Sequence, residues 1–194
     1  MKLAILDRVG LLHRDGENSL AELNNWAPQD GVLDAIAQLN REGWLVLIAN
    51  NQPGLGRGSV DVGALNRAHL RVHRALMAAG AKVEAVFFCP HVPDDGCTCR
   101  APAPGLLQQI ATRYGAEPQE IWVIAREPQY LQAGQALGAH LVQLGAVDEA
   151  PVGAALLTAP VARYTSWQAL ANALAPDTQA ASSMAAATDA GAPH

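Results

Sequence analysis

Apolar residues along this chain recur in two rhythms. Short runs of strand length, Lys2 to Leu6, Trp44 to Ala49, Val83 to Phe88, Ile121 to Ala125 and His140 to Leu144, alternate with longer segments. In those segments, about Gly31 to Arg41, Val60 to Ala79, Pro104 to Tyr114 and Gln129 to Leu137, apolar positions return every three or four residues, which predicts helices. A last short strand near Val161 to Tyr164 leads to Ser166, whose hydroxyl suits an N-cap, and to a closing helix ending about Leu174. Strands that are apolar throughout and separated by helices predict an α/β, Rossmann-like fold: a parallel sheet with helices on both faces. Ligands of such sheets bind beyond the carboxyl ends of the strands. Four stretches therefore carry the function: Asp7 to Leu11, Asn50 to Gly58, Cys89 to Pro102 and Arg126 to Gly134.

Composition narrows the picture. Half of the 194 residues are apolar, ample for one buried core, and residues 1–175 read as a single domain. From Pro176 onward only small and polar residues remain apart from Met184, so 176–194 is expected to be a disordered, Ala-rich tail. A net charge of −5 argues against nucleic acid or an anionic bilayer as partners. No apolar run reaches the roughly 20 residues of a membrane span, and the N-terminus meets a charge at Asp7, too early for a signal peptide. A cytoplasmic protein with no membrane partner is expected.

Cys89, His91, Cys97 and Cys99 place three thiols and one imidazole in a single loop. Four N and S ligands close a tetrahedral Zn²⁺ shell without an open position, the mark of a structural site. Reduced cysteines beside a surface histidine are the alternative, but they leave the Pro, Gly and Asp turn residues of the interval unexplained. His69 and His73, at i, i+4, could also chelate. With Arg67, Arg71 and Arg74 alongside and no zincin-type Glu, a solvated basic face is the better reading.

Leu6-Asp7-Arg8, the stretch Asn51-Gln52 with Gly54 and Arg57-Gly58, the cysteine loop running into Cys99-Arg100 and Pro102, and Leu131-Gln132-Ala133-Gly134 form a recognisable set. From Lys2 to Leu174 the chain resembles the histidinol-phosphatase-like branch of the haloacid dehalogenase (HAD) superfamily, and most closely its D-glycero-D-manno-heptose-1,7-bisphosphate 7-phosphatases. The resemblance implies a short zinc-stapled loop, no large cap domain, and hydrolysis of a sugar phosphate by an aspartate nucleophile with Mg²⁺.

The chain departs from that pattern at the reacting positions. Asp7 matches the nucleophile, but the acid/base position is Val9 and the following Thr position is Leu11. A placed proton donor contributes about 10²–10⁴ in rate, none of which valine supplies. Asn50 replaces the phosphoryl-binding hydroxyl, a survivable change because an amide also donates hydrogen bonds. Ala101 replaces the lysine of the third motif, removing a cation worth roughly 10²–10³ where charge develops. Arg126 and Tyr130 replace the carboxylates that hold Mg²⁺, so the Mg²⁺ site is expected to be lost. Arg126 is expected to pair with Asp7 in place of the metal, the alternative being an Arg126 turned to solvent.

Three functions fit these residues. The first is a pseudoenzyme, a degenerate phosphatase that binds a phosphosugar or phosphate through Asn50, Asn51, Arg57 and Arg100. The second is a residual phosphomonoester hydrolase in which Asp7 still attacks, assisted by Arg100 and Arg126. The third is a scaffold or regulator whose protein partner, an active relative, meets the Arg67, Arg71, Arg74 stripe.

Overall fold

In the computed structural model, residues 1–8, 28–145 and 156–175 are described. Val9, Leu11 and the segment 176–194 lie outside them. Six parallel strands, β1 (Lys2–Asp7), β2 (Trp44–Asn51), β3 (Ala85–Cys89), β4 (Ile121–Ala125), β5 (His140–Leu144) and β6 (Val161–Tyr164), form one sheet in the order β3-β2-β1-β4-β5-β6. The helices are α1 (Val32–Arg41), α2 (Pro53–Gly56), α3 (Val62–Ala78), α4 (Gly105–Tyr114), α5 (Pro128–Leu137) and α6 (Trp167–Leu174).

Strand side chains alternate between the two faces of the sheet. Ala4 and Leu6 of β1, Val46 and Ile48 of β2 and Ile124 of β4 enter one core with α1, the end of α3 and α6. Leu3 and Ile5, Leu47 and Ala49, and Ile121, Val123 and Ala125 enter the other with α4 and α5. Central strands buried on both sides are why β1 and β2 read as unbroken apolar runs. The expected architecture is therefore present. Strand and helix limits shift by one or two residues: β1 runs on to Asp7, β2 to Asn51 and β3 to Cys89. The short α2 falls where Pro and Gly suggest only a loop, with Pro53 at its first position.

Caps fix two helix starts. Asp61 accepts a hydrogen bond from Ala64 N at 2.8 Å, and Ser166 from Ala169 N at 3.1 Å. Close packing fixes α5: a Cβ at Gly134 would lie 2.8 Å from Leu141 Cδ2 and 3.0 Å from Val123 Cβ, so glycine lets this helix rest on β4 and β5.

On α3 the two histidines separate. His73 is exposed, as expected for a basic face, but His69 is half-buried with Nε2 unpaired among the described residues. Burial, and after it the Arg8 charge, lower His69 from 6.5 to about 4.

Two consequences can be measured. Gly134→Val should destabilise the protein by about 1–3 kcal/mol in urea unfolding, through overpacking. His69 stays neutral in the folded chain while the unfolded chain protonates it near pH 6.5. The unfolded state thus binds more protons between pH 6.5 and 4, and stability falls as pH falls through that window. The loss is about 1–3 kcal/mol once partial exposure is allowed for. Subtracting the stability profile of His69→Gln from that of the wild type should isolate this slope, with no difference in slope above pH 7.

Candidate functional site at the strand ends

The strand order reverses direction at β1, where the chain leaves β3 and returns on the far side as β4. A crevice opens beyond the carboxyl ends of strands at such a switch point. Asp7 ends β1 and is only 3% exposed; beside it Arg8, Asn50, Asn51 and Gln52 are also buried. Polar groups withdrawn from water must find partners, and most of these side chains bind one another.

Arg8 Nη2 donates to Gln52 Oε1 at 3.0 Å, and Asn50 Nδ2 donates to the same oxygen at 3.0 Å. Because a guanidinium only donates, it fixes which end of Gln52 faces it, and this in turn fixes Asn50 with its amide nitrogen toward Gln52. Among the described residues, Asn50 Oδ1 and Gln52 Nε2 are left without hydrogen-bond partners. Asn51 clasps the segment after the cysteine loop: its Oδ1 accepts from Ala101 N at 3.1 Å and its Nδ2 donates to Ala101 O at 3.3 Å. Anion binding through Asn50 and Asn51 would have to compete with these bonds. Both amides are committed to the protein, and the atom Asn50 leaves over is an acceptor.

Two of the positions expected to have lost their catalytic residues lie in the core. Ala101 is 3% and Tyr130 4% exposed, and both belong to the apolar cluster beneath α4 and α5. The Tyr130 hydroxyl is buried without a hydrogen-bond partner among the described residues, and burial, followed by the Asp7 charge, pushes it well above the usual phenol range.

Arg126 is exposed and forms no ion pair with Asp7 among the described residues, which corrects the expected pairing. Alternation explains the failure. Asp7 continues the face of Leu3 and Ile5, whereas Arg126 comes after Ala125 and passes to the opposite side, into a cleft with Leu144, Trp167, Gln29 and Asp30. That cleft has a volume of about 580 Å³.

The ligand atoms of Cys89, His91, Cys97 and Cys99 lie within 4.8 Å of one another. Their sulfurs are 3.2 to 3.6 Å apart, and His91 Nδ1 is 3.2 Å from Cys99 Sγ. A tetrahedron with ~2.3 Å metal–sulfur bonds has edges of about 3.7 Å, so the group fits Zn²⁺. The loop is bound into the site at both ends. Gln52 N donates to Cys89 O at 2.7 Å, Gly56 N to Pro90 O at 3.1 Å, and Gly105 N to Thr98 O at 2.9 Å. A Cβ at Gly56 would lie 2.6 Å from Pro90 O, and one at Gly105 2.4 Å from Thr98 O, so each contact requires glycine. Arg100 Nη1 reaches His91 O at 3.2 Å, and the exposed Arg57 follows Gly56, so both arginines border this loop.

No family model matches the chain. Individual relatives do. The D-glycero-beta-D-manno-heptose-1,7-bisphosphate 7-phosphatase of Bordetella bronchiseptica is 42% identical over 147 residues, 75% of this chain and 82% of that protein. The enzyme of the same name from Neisseria meningitidis is 38% identical over 138 residues, covering 71% and 74%. Among solved structures, the B. bronchiseptica D,D-heptose 1,7-bisphosphate phosphatase complexed with magnesium and phosphate aligns with a TM-score of 0.79 at 36% identity. That alignment covers 90% of this chain and 98% of the solved one. With its six-stranded sheet, its Cys/His loop and these relatives, the chain belongs to the heptose-1,7-bisphosphate 7-phosphatase family of the HAD superfamily.

Proposed function

We propose that this chain is a non-hydrolysing member of its family, which holds a phosphorylated sugar without turning it over. The observation that carries the reading is the burial of Ala101 and Tyr130 in one apolar cluster. The family pattern asks for a lysine at the first position and a metal-binding carboxylate at the second, and here both are closed by hydrophobic packing. The cation at Arg126 does not substitute, since it faces another cleft. On this reading Mg²⁺ has no seat at Asp7, and 1–175 acts as one domain with its ligand cleft at the switch point. Arg57 and Arg100, bordering the cysteine loop, are the cations available to a phosphate at the rim. Cys89, His91, Cys97 and Cys99 hold a structural Zn²⁺, which when bound supplies a crosslink that keeps β3, α2 and the start of α4 together.

The retained Asp7 favours a second reading, residual hydrolysis with Asp7 as nucleophile. The two are separated by phosphate release from heptose-1,7-bisphosphate with excess Mg²⁺. The proposal expects wild type and Asp7→Asn to be equally inactive; turnover abolished by Asp7→Asn establishes the hydrolase.

For the metal, purified protein should carry one equivalent of zinc by elemental analysis. Cys99→Ser should lose it together with several degrees of Tm, and a full complement of zinc in that variant would contradict the ligand assignment.

A further inference from the structure

The cleft that receives Arg126 takes no part in the proposed loss of catalysis, yet it has the makings of a site. Its volume of about 580 Å³ is that of a small-molecule pocket, and it opens where the ends of β5 and β6 meet the start of α6. A Cβ at Gly145, the residue after β5, would stand 3.6 Å from Arg126 Nε, so the guanidinium lies along the end of that strand. Asp30 lines the same cleft, but the two form no ion pair, and Asp30 has an interaction of its own. Among the described residues no hydrogen bond or ion pair engages Arg126. A guanidinium keeps its charge and its five donors at any physiological pH, and here they are available to a ligand.

The other walls of the cleft sort the anions. α6 begins there with Ser166 and Trp167, and the N–H groups of Trp167 and Gln168 have no acceptor among the described residues. This helix end adds partial positive charge. Ser166 Oγ accepts from Ala169 N, which leaves its own proton to donate, and Thr165 adds a second hydroxyl. One guanidinium and one helix end stand against the charge of Asp30, a balance that suits a single negative charge. A phosphate dianion would bring two charges beside that carboxylate. A planar carboxylate matches the Arg126 fork, and hydroxyls on its carbon chain match Thr165 and Ser166.

We infer that this cleft binds a small hydroxylated carboxylic acid, with the carboxylate held by Arg126. The inference is independent of the sugar-phosphate reading, which places its anion at Arg57 and Arg100.

NMR of the zinc-loaded full chain, following backbone amides and arginine Nε–H groups during titration with gluconate, inorganic phosphate or sorbitol, tests this. Gluconate should shift Gly145, Thr165, Trp167 and Arg126 Nε–H saturably, with phosphate and the uncharged sorbitol at least about ten-fold weaker there. Arg126→Gln, at an exposed position, should leave Tm unchanged and weaken gluconate by about ten-fold or more, the scale of a charge-assisted contact. Undiminished gluconate affinity in Arg126→Gln, or phosphate or sorbitol matching gluconate at these residues, overturns the inference. So does the absence of saturable shifts in the cleft; phosphate shifts confined to Arg57 and Arg100 would overturn it while leaving the sugar-phosphate reading standing.

Discussion

A carboxylate drawn out of water at the end of a central strand needs something of opposite character beside it, and most of this molecule's functional end can be understood from how that need is met. Asp7 is buried together with Arg8, Asn50, Asn51 and Gln52 at the carboxyl ends of β1 and β2. Side-chain hydrogen bonds tie Arg8 and Asn50 to Gln52, and Asn51 to the segment at Ala101. The cysteine loop is drawn into the same arrangement by the backbone bond from Gln52 to Cys89. Loosening any one of these contacts strands a buried polar group.

The positions on which the proposed loss of catalysis rests lie on one face of the sheet. The face that carries α4 and α5 takes up Ala101 and Tyr130 as packing, and the solvent-facing cation, Arg126, leaves by the other. The scaffold around them is the relatives' scaffold. α4 and α5 are held by strand contacts and by glycine-sized gaps at Gly105 and Gly134, none of which involves Ala101 or Tyr130. On the proposed reading binding and turnover are separable: the crevice persists while positions 101 and 130 are given over to apolar packing.

Much of this was legible in the residues. Alternation within β1, β2 and β4 gives both core faces, and Cys89, His91, Cys97 and Cys99 already mark a loop that could hold a metal. The family motifs locate the crevice. Other features depend on distances that no local pattern encodes. His69 shares a helix turn with arginines, and only the fold brings it within reach of the Arg8 charge, so its burial is invisible in the helical period. Pairing of Arg126 with Asp7 is sound charge chemistry but fails on strand geometry, because Asp7 aligns with Ala125 and Arg126, one residue further on, passes to the other face. The partners of the Asn50 and Asn51 amides, Gln52 and Ala101, are likewise set by the fold and not by local pattern. The four-residue α2 escapes because Pro and Gly are loop formers by composition, and the bond from Gly56 to the cysteine loop helps to order it.

The central claim is that the phosphoryl pole of the family site is closed to a divalent cation in this chain. Calorimetric titration of Mg²⁺ into the zinc-loaded protein in the presence of inorganic phosphate addresses it most directly. No saturable heat up to millimolar Mg²⁺ is the predicted result, and stoichiometric binding that disappears in Asp7→Asn would contradict it.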